Sequence, residues 1–202
     1  MLTIAGERLE LGRMLRLSDF SRRLFFGAAL VFAIGLFIQF LSFDIGTRIV
    51  GFGLLGLALW LARYDIARYT VRQKGLARYI AVCLLTGYFW LAISGLAAIS
   101  YGSESAGPIY DFMLHSVFVG FIFGMVFGHA PIIFPAVLGL DIRYSPIFYI
   151  PLFLLEISLL MRVTGSLAGL LWLRQWGGLL NATAILAFLP LVAPIRRKQE
   201  LN

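Results

Sequence analysis

Six apolar runs, each near the length of a bilayer crossing, constrain this chain more than any other feature. They cover approximately Leu24–Phe43, Gly46–Ala62, Tyr79–Ser100, Ile109–Leu138, Pro146–Met161 and Gly177–Pro194. A bilayer core takes roughly 20 helical residues to cross. Every backbone polar group inside lipid must also be satisfied within the chain. The expected fold is therefore all-α, a polytopic transmembrane bundle of about six spans. It forms a single transmembrane domain over residues 1–202. Composition agrees: 60% of residues are apolar, 13% are charged, and mean hydropathy is +0.90. A soluble domain has about 25% charged residues.

Basic residues set the expected orientation. Arg8, Arg13, Arg16, Arg22 and Arg23 precede the first run. Arg63, Arg68, Arg72, Lys74 and Arg78 lie between the second and third, Arg143 between the fourth and fifth, and Arg196, Arg197 and Lys198 in the tail. With both termini in the cytoplasm, 14 of the 17 Lys and Arg residues lie inside. Only Arg48, Arg162 and Arg174 then lie outside, which is the arrangement the positive-inside rule selects. The net charge of +7 is read as topology and contact with anionic headgroups, not nucleic-acid binding.

The first run is expected to be a true span, because no small-residue cleavage site follows it. Residues 1–22 mix Leu2, Ile4, Leu9, Leu11, Met14, Leu15, Leu17 and Phe20 with arginines. Either an amphipathic helix in the membrane interface or a basic tail suits that mixture. The polar break YGSESAGP at 101–108 should face outside. Pro108 suits the first turn of the fourth helix. Pro131 and Pro135 should kink or end that helix, and Pro146 and Pro151 should distort the fifth. LWLRQWGG at 171–178 reads as an interfacial turn with Trp172 and Trp176 at headgroup level. The lone cysteine, Cys83, forms no internal disulfide.

Ionisable residues inside a bilayer are costly and mark function. Both histidines, His115 and His129, fall in the fourth run. They are 14 residues apart, hence about 40° apart around an α-helix and roughly 21 Å along it. One metal ion cannot bridge that distance, but two cofactor sites on one face would fit. Asp111 lies one turn before His115 and is placed to orient its imidazole. Gly120, Gly124 and Gly128 form a stripe on the opposite face, suited to close helix packing. Met125 is read as core packing before sulfur ligation. Glu156, in PLFLLEISLLMRV, is expected to pair with Arg162, to carry protons or to approach a cofactor. Arg162 is otherwise a headgroup contact or a clamp for a haem propionate. Gln39 and Asn181 read as interhelical hydrogen bonds. No hydrolase triad, P-loop or dinucleotide fingerprint occurs.

The C-terminal half, roughly residues 110–195, resembles the NnrS family of haem- and copper-containing bacterial membrane proteins. The resembling residues are His115 followed by Gly120 and Met125, then MRVTG at 161–165, then an apolar helix ending LPLVAP at 189–194. The family has twelve predicted spans, so this chain corresponds to one half. Ala130 and Pro131 follow His129, where the family's second histidine precedes a different segment. The resemblance implies haem b, with copper a weaker implication, in a bacterial cytoplasmic membrane. It implies His115 as a ligand, and a role in electron transfer or nitric-oxide handling. A homo-oligomer would supply the second half. The alternatives are a membrane subunit of a larger respiratory or assembly complex, and a small proton-linked transporter using Glu156 and His115.

Overall fold

The computed structural model describes residues 2–11, 17–138 and 144–192. Met14, Leu15, Arg13, Arg16, Arg143, Arg196, Arg197, Lys198 and the Ala193–Pro194 end of the last motif lie outside the described residues. No strand occurs among the described residues. The chain forms α1 (Leu2–Leu11), α2 (Asp19–Ile38), α3 (Phe43–Tyr64), a one-turn α4 (Ala67–Thr70) and α5 (Leu76–Ser100). α6 (Gly107–His115) continues through a π-helical stretch, Ser116–Phe123, into α7 (Gly124–Leu138). A 3-10 turn at Pro146–Phe148 leads into α8 (Tyr149–Leu167), and α9 covers Leu171–Val192.

Among the described residues six helical segments are long and apolar enough to cross a membrane, with the α6–π–α7 unit counted as one. The chain is a polytopic helical membrane protein. Five of the six spans run longer than the apolar runs because capping and charged residues extend the helices beyond the lipid-compatible stretch; the first keeps its length of 20 residues but is shifted five residues toward the N-terminus. α2 begins at Asp19, five residues before Leu24, and its N-cap Ser18 accepts a hydrogen bond from the Ser21 N–H at 3.2 Å. Such a cap satisfies one of the free donors of a first turn.

The expected end of the fourth helix at Pro131 or Pro135 is corrected. α7 runs through Pro131 and Pro135 to Leu138. Inside a bilayer, leaving the helix would strand more backbone polar groups than a proline frees, so prolines are tolerated there. Pro151 lies in the first turn of α8, where a missing donor costs nothing. The expected turn at 171–178 is also corrected: those residues are helical in α9. The chain reverses at Ala168–Leu170, where Gly169 takes φ +68°, a left-handed conformation that glycine adopts without a Cβ clash.

α5 is the centre of the bundle. Its residues Leu84, Tyr88 and Leu91 join one buried cluster with α3, and Tyr79, Cys83 and Trp90 join another with α7, α8 and α9. α3 crosses α5 where Gly51 faces Gly95, each lying against the other's backbone. The Gly120–Gly124–Gly128 stripe packs inward on α5. Gly120 lies against Trp90, Gly124 against Cys83 and Gly87, and Gly128 against Cys83 and Ile80. An internal contact thus uses the surface that would otherwise be free for a second copy.

Candidate functional site

The polar residues of the spans gather in three places. At one end of the bundle, the turn at Gly169 lays the end of α8 beside the start of α9. Gly165 packs directly on the backbone of Arg174. This closeness brings Arg162 and Arg174 to either side of Asp111 on α6. Arg162 grips the carboxylate with a two-pronged fork: Nε donates to Oδ2 at 3.0 Å and Nη2 to Oδ1 at 2.8 Å. Arg174 Nη2 stands 3.6 Å from Oδ2. His115 Nδ1 lies 2.8 Å from the Asp111 carbonyl oxygen and 3.2 Å from its Oδ1. Both neighbours are acceptors, so Nδ1 carries a proton.

Arg162 therefore meets Asp111, not Glu156. Glu156 and Arg162 stand six positions apart on α8, which puts them about 120° apart around the helix, whereas side chains meet at spacings of three or four. Arg174 was not singled out in the sequence because it sits in a tryptophan-rich stretch read as a surface turn. Only the α8–α9 reversal brings it to Asp111.

Near mid-span, Glu156 faces α5. Trp90 Nε1 donates to Oε2 at 2.6 Å. The other oxygen, Oε1, is buried and has no hydrogen-bond partner among the described residues. Gly120 makes this contact possible, because a Cβ there would collide with Cβ and Cγ of Trp90. The stripe glycine and the intramembrane acid are thus parts of one arrangement. Tyr79, Cys83, Thr86 and Trp90, spaced four, three and four residues apart, line one face of α5. Nearby, the Ser158 hydroxyl donates to Oδ1 of Asn181 and joins α8 to α9, as expected for Asn181. Gln39 donates to Thr47 at 3.1 Å.

At the opposite end α1 docks on the bundle. Ala5 is fully buried and Arg8 is 7% exposed. Arg8 donates through Nη2 to Nε2 of His129. The His129 Nδ1–H donates to the Met125 carbonyl at 2.6 Å, so both imidazole nitrogens are engaged. Asp65, 1% exposed, accepts from the Ala67 N–H at 2.7 Å through Oδ1. Asp65 Oδ2, Tyr88 Oη and Arg8 Nε are buried without partners among the described residues.

The two histidines meet different neighbours: His115 the α8–α9 end, His129 the N-terminal helix. The 40° estimate assumed one uninterrupted α-helix. Eight residues between them are π-helical, with i→i+5 bonds and more residues per turn. Among the described residues no group of three or more His, Cys, Asp or Glu side chains converges as a metal site. Two open apolar grooves, one between α2 and α3 and one among α2, α3, α5 and the α6–π unit, are lined by neither histidine.

Fold and site together define a six-span helical membrane protein with ionisable groups at mid-span and at both ends. The chain belongs to the family described as a domain of unknown function, DUF8744, whose model matches residues 1–196. No curated protein matches it, and no solved structure does.

Proposed function

We propose that this protein moves protons, alone or coupled to a solute, across a cytoplasmic membrane. The observation that carries this reading is Glu156, a carboxyl in the middle of a span with one oxygen held by Trp90 and the other buried near Thr86 with no hydrogen-bond partner of normal geometry among the described residues. Acidic residues so placed serve as proton relays in membrane transporters. Oε1 takes up a proton from one side and releases it to the other, while the indole N–H fixes the carboxyl in place. The Asp111–His115 and Arg8–His129 groups lie toward the two ends of the bundle, where protons would enter and leave. The arginine distribution supports cytoplasmic termini, and the NnrS resemblance implies a bacterial inner membrane.

The test is proton flux in liposomes holding the purified protein and a pH-sensitive dye. Wild-type protein is expected to dissipate an imposed pH gradient, and Glu156→Gln to reduce that rate at least tenfold. A wild-type rate equal to that of empty liposomes, or an undiminished Glu156→Gln rate, sinks the proposal.

A second reading is supported by His115. Its Nδ1–H is anchored on Asp111, which leaves Nε2 as the nitrogen available for ligation. That is the arrangement of an oriented metal-ligating imidazole. His115 would hold a b-type haem as an axial ligand, with the second ligand from another copy in a homodimer. His129 would not, because Arg8 and the Met125 carbonyl engage both of its nitrogens. Bound haem would supply electron-transfer or nitric-oxide chemistry, and copper is the weaker alternative. A reduced-minus-oxidised spectrum of the purified protein tests this. A Soret band lost in His115→Ala supports the reading, and a featureless wild-type spectrum after haem supplementation overturns it.

A further inference from the structure

The geometry points to an oxyanion site at the α8–α9 turn, in which Arg162 and Arg174 bind a phosphate group. The proposal does not depend on proton movement through Glu156.

Charge is the first argument. Two guanidinium groups flank one carboxylate, and within 4 Å the ion-pair partners among the described residues are Asp111, Arg162, Arg174 and His115. At this end of the bundle, Asp44 is paired with Arg48. Glu104 in the neighbouring loop is exposed and forms no ion pair among the described residues. One positive charge at the cluster is left without a counterion.

Hydrogen bonding is the second. The Arg162 fork takes both Asp111 oxygens. Arg174, at 3.6 Å, is held beside the carboxylate without a hydrogen bond to it, and its Nε is buried with no partner among the described residues. An arginine fork matches the oxygens of a phosphate as it does those of a carboxylate. Arg162 Nη1 lies against Gly178 of α9, in the space that a Cβ at that residue would fill.

Depth is the third. Trp172 and Trp176, on the first turns of α9, are more than half exposed. Tryptophan favours the headgroup level of a membrane. The two arginines therefore sit where lipid phosphates and dissolved phosphate both reach them.

The test uses the full-length protein in a neutral detergent, with thermal unfolding followed by tryptophan fluorescence. One arm titrates sodium phosphate against sodium chloride at matched ionic strength. The other titrates short-chain phosphatidylglycerol against a neutral short-chain glycolipid. Wild-type protein is expected to gain several degrees in at least one arm. A response to inorganic phosphate identifies a free anion, and a response to phosphatidylglycerol alone identifies a lipid headgroup. Arg174→Gln is expected to raise the apparent Kd at least tenfold, whereas Glu156→Gln leaves it unchanged. If Arg174→Gln does not fold, Arg174→Lys carries the test, because it keeps the charge but loses the fork; a several-fold weaker Kd is expected. No stabilisation of the wild type in either arm, or an unchanged Kd in the Arg174 variant used, overturns the proposal.

Discussion

Asp111 at one end and Gly120 near the middle each hold one of the molecule's three polar groups in place. Asp111 ties α6 to α8 through the Arg162 fork. Removing one member of a largely buried ion pair strands the other, at a cost of about 3 kcal/mol. Arg162→Ala is expected to lower the unfolding midpoint by that equivalent, and Asp111→Asn combined with it to cost less than the two single changes together. Additive losses in a thermal double-mutant cycle would show that the pair is not coupled. Gly120→Ala would drive a methyl group into Trp90 and Leu159. Over-packing of this kind costs about 1–3 kcal/mol. It should also shift the Trp90 indole off Glu156, so a change in tryptophan emission is expected beside the lower midpoint. An unaltered spectrum would separate Gly120 from the Glu156 site.

At the scale of the elements, the α8–α9 reversal and the inward glycine stripe do the positioning. Gly169 has open space around it and φ +68°, so Gly169→Ala is penalised by backbone conformation alone, by about 1–2 kcal/mol. Because this reversal sets Arg174 beside Asp111, the same variant should weaken phosphate-dependent stabilisation if the oxyanion site exists. Gly124 tests the stripe. Its Cβ would lie 3.3 Å from the Cys83 carbonyl oxygen, and α7 lies directly on α5 there. Gly124→Leu is therefore expected to destabilise the monomer fold, read as a fall in midpoint and yield. A stable protein whose only change is a lost dimer in light scattering would place the stripe at an interface between copies instead.

Over the whole molecule, orientation follows from charge. In a variant with Cys83 replaced by Ala, single cysteines at Ser103 and Gln73 should react from opposite sides. The positive-inside rule predicts that Ser103 in whole cells is labelled by a membrane-impermeant maleimide, and that Gln73 is labelled only after the membrane is opened. The reverse pattern would invert the topology. The chain by itself determined the class of fold, because in lipid long apolar runs have no alternative to helices. It also displayed the intramembrane groups, since Asp111, His115, His129, Glu156 and Arg162 interrupt apolar sequence. Which of them meet was decided by tertiary structure. Arg8 reaches His129 across 121 positions of sequence, and Trp90 reaches Glu156 across 66; neither spacing carries a periodic signal. Arg174 joined Asp111 only because a left-handed glycine folded α9 back on α8. The histidines meet different surroundings because about 21 Å of helix lies between them, and the π-helical stretch Ser116–Phe123, which depends on how the backbone packs, changes the angle between their faces. Apolar pattern is a local property of the chain, whereas the pairing of buried polar groups depends on which helices cross and how closely glycines let them approach.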